Sequence, residues 1–424
     1  MRARPTPAQS RWQQAHFGVF FHVGINTFFG KEWSDGSLPA SGFIPTALDC
    51  RQWLATAKAA GAAYAVLTAK HHDGFCLWPT ATTAYSVASS PWRDGAGDMV
   101  AEFVAACREV GIAPGLYLSP WDRNAACYAD AAAYDDFYCR QLDELCTRYG
   151  DLFELWFDGA GSEGRTYDWD RIMALVERRQ PDAMIFNMGR PTIRWVGNED
   201  GLATEPVCYA VRDTLASAFG KDPGASLTAD HWLPPECDVS IRRNWFWQGD
   251  DLDTLKTVDE LLAIWYRSVG LGCNLLLNVP PDRRGLLDEH DRERLIAFGD
   301  EVARRRAAPR EGIIGSSASG ISVDFASGAD ADHLWLEEDL GDGQHIDGFR
   351  IVAAEDDALI ASGRTIGSQR VVVFARRRVG RLRIELDQPG RLRRVAALLT
   401  GAECIPDPAA KLDYAAWGAK TDPR

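Results

Sequence analysis

The sequence predicts an α/β protein, a (β/α)8-like (TIM-type) barrel followed by a C-terminal antiparallel β-sandwich. Three observations indicate this fold. The chain has 424 residues, more than one ordinary domain needs. Short apolar runs alternate with helical patterns in the first part, and a second part carries short runs separated by Gly, Asp and Pro turns. We therefore expect the barrel over residues 1–310 and the sandwich over 320–424, with the boundary in the basic segment 307–319.

The barrel strands are predicted from runs that are rich in apolar, β-branched and aromatic residues. Candidate strands lie at residues 17–25, 62–70, 112–120, 152–160, 183–189, 202–206, 237–241 and 273–281. Helical patterns lie at residues 47–59, 97–109, 131–148, 169–179, 254–269 and 288–306. Alternation of this kind indicates βαβ units with parallel strands. A series of such units is typical of a closed barrel surrounded by helices.

The C-terminal part has a different pattern. Its apolar runs are "HLWLEE", "GFRIVAA", "RVVVFA" and "GRLRIEL", and Gly, Asp or Pro turns separate them. No helical pattern lies between them, so consecutive strands are expected to be antiparallel. This arrangement predicts a β-sandwich.

Composition excludes several classes of partner. The formal net charge is −14, whereas nucleic acids and anionic membranes are bound through basic patches, so we expect neither as a partner. No stretch of 18 apolar residues and no apolar signal core is visible, which predicts a cytoplasmic protein. The ten cysteines form no C-x-x-C pair and indicate reduced thiols. The fifteen tryptophans suit a carbohydrate ligand, because sugar C–H faces stack on indole rings.

Polar side chains end four consecutive predicted strands. His22 ends the first strand, His71 and His72 end the second, Tyr117 ends the third and Asp158 ends the fourth. The carboxyl ends of barrel strands meet at one face, and barrel enzymes assemble their active sites there. The sequence therefore predicts a polar pocket at this face.

The adjacent histidines His71 and His72 have two other interpretations, as metal ligands or as hydrogen-bonded core residues. Adjacent strand residues point to opposite faces, so we expect that these two side chains do not chelate one ion. We predict no metal and no cofactor.

Asp158, in "ELWFDGAG", is the first candidate for a catalytic group because it follows a Trp-Phe pair at the mouth of a strand. A carboxylate there can attack the anomeric carbon of a sugar, provided that a second carboxyl group protonates the leaving oxygen. The alternative is that Asp158 caps the next helix. Two residues compete for the second role. Glu199 lies in "RWVGNEDG", in the loop after the fifth strand, and Glu236 lies in "PPECDVSI", just before a later strand; spacing does not decide between them.

Six segments together resemble a known family. "HFGVFFHVG", "TAKHHDGF", "GLYLSPWD", "ELWFDGA", "VGNEDG" and "CNLLLNVPPD" occur in this order, and the chain is similar over essentially its whole length to the α-L-fucosidases of glycoside hydrolase family twenty-nine. The resemblance implies a retaining exo-α-L-fucosidase, in which Asp158 is the nucleophile and Glu199 the acid/base, with Glu236 as the runner-up. It also implies the branch that cleaves α-1,3 and α-1,4 fucosyl linkages.

The resemblance further implies a set of substrate-binding residues. Those that look like ligands of the fucose hydroxyls or covers of a ring face are His22, Glu32, Trp33, His71 and His72. Those that look like pocket walls or late contacts are Tyr117, Trp156 and Arg242, and those that resemble an apolar patch for the C5 methyl group are Phe20 and Trp245. The alternatives are a galactosidase-like enzyme, a metal-dependent barrel hydrolase and a carbohydrate-binding protein that has lost catalysis on the same fold.

Overall fold

The computed structural model describes residues 2–317 and 320–402. Its first ten strands are β1 (Phe17–Phe21), β2 (Tyr64–Lys70), β3 (Ala113–Leu118), β4 (Glu154–Trp156), β5 (Met184–Phe186), β6 (Arg194–Trp195), β7 (Ala210–Val211), β8 (His231–Trp232), β9 (Pro235–Ser240) and β10 (Asn274–Asn278). Eight of them form one parallel sheet in the order β5-β4-β3-β2-β1-β10-β9-β6. A parallel bridge from Phe186 to Ile193 joins the two outer strands, so the sheet is a nearly closed barrel.

Eight α-helices accompany the strands in the described part of the chain. They are α1 (Pro7–Ala15), α2 (Ile25–Phe29), α3 (Cys50–Ala59), α4 (Met99–Val110), α5 (Ala131–Arg148), α6 (Trp169–Arg179), α7 (Val258–Arg267) and α8 (Glu289–Arg306). Carboxylate or hydroxyl side chains cap the outer helices at their first turn: Asp49, Asp98, Asp130, Asp168, Thr257 and Asp288. Among the described residues, no helix is long and apolar enough to span a membrane.

Helix α1 packs under the amino-terminal end of the barrel. Trp12 is fully buried, and its indole Nε1 donates to Glu154 Oε2 at 2.9 Å. The Asn274 amide donates to the Trp12 carbonyl at 2.8 Å. This helix covers the amino-terminal end, which leaves the carboxyl end of the strands as the open end of the barrel.

The prediction of the sixth strand at residues 202–206 is wrong. The sixth barrel strand is β6, which has only two residues, and residues 202–206 form no strand. A strand of two residues is too short to show a hydrophobic pattern in the sequence. The apolar residues of 202–206 suggested a strand that does not form. The chain between β6 and β9 instead makes a long excursion that contains the antiparallel pair of β7 and β8.

The C-terminal strands form a separate antiparallel sheet. They are β11 (Arg310–Glu311), β12 (Ile313–Ser317), β13 (Gly320–Glu338), β14 (Phe349–Ala353), β15 (Leu359–Gly363), β16 (Arg370–Leu386) and β17 (Leu392–Leu398). The long strands β13 and β16 pair with each other, with register shifts in the middle of β13. The first part of β13 pairs with β12 and the last part with β17. Val323 and Leu334, from the two parts, belong to one apolar core, which is the arrangement of a sandwich. Residues 403–424 of the predicted sandwich lie outside the described residues.

A buried ion pair ties the loop after β3 to the end of β2. Lys70 is fully buried, and its Nζ lies 2.8 Å from Asp122 Oδ2 and 3.0 Å from Gln141 Oε1. The other carboxylate oxygen, Asp122 Oδ1, accepts the backbone N–H groups of Asn124 and Ala125 at 3.0 and 2.8 Å. The pair therefore fixes the loop 119–125 directly beside the two histidines that follow β2.

We expect Asp122→Asn to destabilise the protein strongly. Asparagine can still accept the two backbone N–H groups, but it leaves the Lys70 ammonium buried without a counter-charge, which costs about 3–5 kcal/mol of the free energy of unfolding. Denaturant unfolding followed by tryptophan fluorescence measures the loss.

Glu109→Gln is the matched control, because Glu109 pairs with Arg51 at the surface, where both side chains are more than half exposed. Its loss should stay below about 1 kcal/mol. Equal losses in the two variants would contradict the importance of the buried pair.

Candidate active site

A cavity of about 350 Å³ opens at the carboxyl end of the barrel strands. Its lining is Phe20, His22, Glu32, Trp33, His71, His72, Trp156, Asp158, Gly159, Ala160, Glu163, Phe186, Asn187, Trp195, Glu199, Ala218, Phe219, Asp238 and Trp245. These residues come from the ends of β1, β2, β4, β5, β6 and β9 and from the loops that follow. A concave site with aromatic walls and several convergent polar groups is the usual form of a small-molecule pocket.

The cavity contains ten of the thirteen residues singled out from the sequence. They are Phe20, His22, Glu32, Trp33, His71, His72, Trp156, Asp158, Glu199 and Trp245. Tyr117 lies directly behind the lining, and Glu236 and Arg242 lie elsewhere.

Asp158 lies two residues beyond the end of β4, with its side chain one quarter exposed. Tyr117 Oη donates to Asp158 Oδ2 at 3.0 Å, and the backbone N–H of Ala160 donates to Oδ1 at 2.8 Å. Burial and the nearby Asp158 carboxylate raise the pKa of Tyr117 well above its ordinary value, so the phenol stays a donor. The alternative role of Asp158 as a helix cap is wrong, since Asp168 caps α6. Asp158 thus presents an oriented carboxylate to the cavity.

An aromatic layer supports this carboxylate from below. The Trp156 ring stacks on Phe186, with centroids 3.9 Å apart and planes at 9°. The Trp156 ring also stacks on Tyr117, with centroids 5.4 Å apart and planes at 23°. Close stacking leaves these side chains little rotational freedom, so the phenol that binds Asp158 is held in place.

His22 and His72 are fixed as acceptors toward the cavity. The Asn278 amide nitrogen donates to Ser240 Oγ and to the Trp245 carbonyl, so Asn278 Oδ1 accepts from His22 Nδ1 at 2.9 Å. Burial lowers the pKa of His22 to about 3. The neutral ring therefore carries its proton on Nδ1, and its Nε2 lone pair remains for a ligand hydroxyl.

The same pairing occurs at His72. Ser119 Oγ donates to the Trp121 carbonyl at 2.7 Å and accepts from His72 Nδ1 at 2.7 Å. Burial lowers the pKa of His72 to about 4, although the Asp158 carboxylate opposes the shift. His72 Nε2 lies 3.6 Å from Asp158 Oδ2, so a bound hydroxyl at this point would meet both groups.

The expectation that His71 and His72 point to opposite faces is wrong. Strand β2 ends at Lys70, so the alternation of a strand does not apply to the two residues that follow. Both rings line the cavity, and their centroids are 4.0 Å apart. Burial lowers the pKa of His71 well below its ordinary value. Within the described part of the chain, no group of three or more His, Cys, Asp or Glu residues is arranged to hold a metal ion.

Glu32 ties two loops of the cavity together. Its carboxyl oxygens accept the backbone N–H groups of Trp245 and Phe246 at 2.8 and 3.2 Å. Burial raises the pKa of Glu32 to about 8, despite these two hydrogen bonds. The contact holds the Trp245 ring against His22, with centroids 5.0 Å apart.

Glu199 is the carboxyl group of the cavity that the sequence singled out as the candidate acid/base. The sequence placed Glu199 in the loop after the fifth strand. It instead follows β6, a two-residue sixth strand that the sequence did not predict. Trp245 Nε1 donates to Glu199 Oε2 at 3.4 Å. Burial raises the pKa of Glu199 to about 7, and the Asp158 carboxylate adds to the rise. A carboxyl group with a pKa near neutrality can donate a proton and later accept one.

Glu236 does not lie in the cavity but inside β9, in the interior of the barrel. Its carboxylate accepts from Tyr64 Oη at 2.5 Å and from Trp156 Nε1 at 3.1 Å. Asp238, two residues further along the same strand, lines the cavity in its place and accepts from Trp195 Nε1 at 2.7 Å. Glu236 and Asp238 lie on the same face of β9, because they are two residues apart. Asp238 is nearer the carboxyl end of the strand, so the position of the pocket at that end could have identified it from the sequence.

Arg242 is also outside the cavity lining. Its Nε lies 2.8 Å from Asp291 Oδ1, and its terminal nitrogens lie 2.9 Å from Asp251 Oδ1 and 3.5 Å from Asp288 Oδ1. Three carboxylates surround the guanidinium, which leaves it no role as a sugar contact. Arg242 instead anchors the segment that leads to Trp245.

The sequence missed several lining residues. They are Glu163, Phe186, Asn187, Trp195, Ala218, Phe219 and Asp238. Phe186 and Trp195 end the fifth and sixth strands. If the boundaries of these strands had been known, the rule that residues at the carboxyl ends of barrel strands line the site would have identified both. Ala218 and Phe219 come from the excursion between β6 and β9, which carries no periodic signal.

The chain is similar to known proteins over most of its length. The sequence profile of a family described as alpha-L-fucosidase matches residues 38–304. Alpha-L-fucosidase 1 of Arabidopsis thaliana is 41% identical over 350 residues, which are 79% of this chain and 69% of that protein.

Solved structures agree with this similarity. The crystal structure of a candidate alpha-L-fucosidase from Bacteroides ovatus has a TM-score of 0.89 and 40% identity, and the match covers 97% of this chain and 76% of that one. A GH29 fucosidase of Ruminococcus gnavus, solved in complex with fucose, has a TM-score of 0.81 and 27% identity, over 94% of this chain and 95% of that one.

We expect two substitutions to move the pKa of Glu199 in opposite directions from about 7. Asp158→Asn removes a like charge, which favours the ionised form, so the pKa falls. Trp245→Phe removes a hydrogen-bond donor to the carboxylate, so the pKa rises. Carbon-13 NMR titration of glutamate-labelled protein measures the shift, and Glu199→Gln identifies the resonance.

Asp250→Asn is the control, because Asp250 is exposed and does not line the cavity. It should leave the titration unchanged. Shifts of the same sign in the Asp158 and Trp245 variants would show that the two contacts do not act on Glu199 as described.

Proposed function

The chain belongs to the alpha-L-fucosidase family of glycoside hydrolases, and from this premise we propose that it is a retaining exo-enzyme. It would release terminal α-L-fucosyl residues from oligosaccharides and glycoconjugates, at α-1,3 and α-1,4 linkages. One observation carries the proposal. Asp158 and Glu199 line the same cavity in different environments, one oriented by Tyr117 and the other a half-buried group with a pKa of about 7.

In the first step of the proposed mechanism, Asp158 attacks the anomeric carbon of the fucosyl group. The bond from this carbon to the leaving oxygen breaks, and Glu199 gives its proton to that oxygen. The product of the step is a covalent fucosyl ester of Asp158 and a free alcohol. The hydrogen bond from Tyr117 Oη holds the Asp158 carboxylate in place for this attack.

In the second step, water attacks the same carbon from the opposite face to the ester. Glu199, now ionised, removes the proton of the water, and the bond to Asp158 breaks. Two displacements restore the original configuration. The pKa of about 7 supports both roles, because Glu199 can be protonated before the first step and ionised before the second.

The remaining lining residues support recognition of a sugar. The neutral rings of His22 and His72 offer Nε2 acceptors to hydroxyl groups, with orientations set by Asn278 and Ser119. Phe20 and Trp245, with ring centroids 6.4 Å apart, supply an apolar surface that suits the C5 methyl group of fucose. Burial of one methyl group is worth about 0.8 kcal/mol, which separates fucose from galactose only in a fitted pocket.

The proposal for the linkage depends on Glu199. Its segment "VGNEDG" resembles the family branch that acts on branched, Lewis-type fucosides. The position of Glu199 in the cavity, with Glu236 inside the barrel, supports this segment as the source of the acid/base.

We expect α-L-fucose as the first product when the protein acts on a panel of α-1,2-, α-1,3- and α-1,4-linked oligosaccharides and an aryl fucoside. Proton NMR at early times, before mutarotation, distinguishes the two anomers. The α-1,3 and α-1,4 substrates should react faster than the α-1,2 substrate. β-L-fucose as the first product would contradict direct attack by Asp158, and release from none of the substrates would contradict the function.

The matched variants for this experiment are Asp158→Asn and Asp168→Asn. The first should abolish turnover of every substrate, because no covalent ester can form. The second keeps the cap of α6, since asparagine caps a helix as aspartate does, and should retain full activity.

A further inference from the structure

A short segment of the excursion between β6 and β9 covers one side of the cavity. Residues Ala216–Phe219 form a single turn of 3-10 helix. A Cβ atom on Gly159 would lie 2.4 Å from the Ala218 carbonyl oxygen, so the turn rests directly on the glycine after Asp158. A Cβ atom on Gly220 would lie 3.4 Å from the Trp195 ring. The turn therefore spans the rim from the end of β4 to the end of β6.

This turn leaves an aromatic side chain uncovered at the rim. Phe219 lines the cavity and is nevertheless 46% exposed. The neighbouring Trp195 is half-buried, lines the same cavity and is held by the hydrogen bond from its Nε1 to Asp238 Oδ1. Large exposed apolar groups around a pocket typically mark a binding surface.

The position of Glu199 indicates what this surface meets. An acid that protonates the leaving oxygen must contact that oxygen, so the leaving group lies on the Glu199 side of the cavity. Glu199 is four residues after Trp195 on the same rim. The rings of Trp195 and Phe219 therefore lie where the leaving group departs, away from the histidines of β1 and β2 at the other side.

The charge of the lining restricts the leaving group further. Five carboxyl residues line the cavity, namely Glu32, Asp158, Glu163, Glu199 and Asp238. Among the described lining residues there is no Lys or Arg. A sulfate or carboxylate on the leaving group would meet the Asp158 carboxylate and would find no Lys or Arg among these lining residues to pair with.

We propose that Phe219 and Trp195 form a binding surface for an uncharged leaving-group sugar, whose apolar C–H face stacks on the two rings. This inference rests on the proposed function and names the class of leaving group at the same site. Flat rings suit this role because they bury sugar C–H surface without requiring a particular pattern of hydroxyl groups.

The test compares a substrate that has a leaving-group sugar with one that has none. We expect Phe219→Ala to lower the ratio of kcat/KM for a neutral α-1,3- or α-1,4-fucosylated trisaccharide to kcat/KM for α-L-fucosyl fluoride by about 5- to 20-fold. Leu215→Ala is the matched control, since Leu215 is 52% exposed on the same excursion but does not line the cavity. It should leave the ratio unchanged.

A second substrate tests the charge. The wild-type protein should cleave the same trisaccharide at least about tenfold more slowly when a sulfate is placed on its leaving-group sugar, and added salt should reduce this difference in rate. An unchanged ratio in Phe219→Ala, or equal rates for the neutral and the sulfated trisaccharide, would overturn the inference. Both outcomes differ from failure of the proposed function, in which the wild-type protein would not hydrolyse fucosyl fluoride at all.

Discussion

The geometry of the candidate active site depends on buried hydrogen bonds that hold polar side chains on the side away from the cavity. Asn278 fixes His22, Ser119 fixes His72, and the backbone N–H groups of Trp245 and Phe246 fix Glu32. Buried polar groups without such partners would cost several kcal/mol each, so the partners decide which atoms turn toward the cavity. The result is a pocket of neutral imidazole acceptors and oriented carboxyl groups, which suits a ligand rich in hydroxyl groups.

A second layer joins this pocket to the barrel interior. Glu236 accepts from the indole of Trp156, the Trp156 ring stacks beside Tyr117, and the Tyr117 hydroxyl donates to Asp158. The Asp158 carboxylate is therefore oriented by a chain of contacts that begins inside the barrel. Buried groups outside the cavity thus set the direction of the proposed nucleophile, as electrostatic preorganisation requires.

Much of the fold and site follows from local sequence patterns, and the errors have physical causes. The strand-end rule located His22, His71, His72 and Asp158, because the carboxyl ends of parallel strands converge whatever the loops do. Glu236 was a candidate because the sequence placed it just before a strand, whereas it lies inside β9, and Asp238, nearer the carboxyl end of that strand, lines the cavity instead. Arg242 was misplaced because its three carboxylate partners come from segments that only tertiary packing brings together. The turn at Ala216–Phe219 shows no hydrophobic periodicity in the sequence. Its position on the rim is therefore visible only from its packing on Gly159 and Trp195.

The division of roles between Asp158 and Glu199 is tested most directly by azide and an aryl fucoside with an acidic leaving group. In Glu199→Ala, the first step needs no acid, and azide replaces water in the second step, so the account predicts α-L-fucosyl azide. In Asp158→Ala, azide takes the place of the missing nucleophile, so the account predicts the opposite anomer, β-L-fucosyl azide. The same anomer from both variants, or β-L-fucosyl azide from Glu199→Ala, would contradict the assignment.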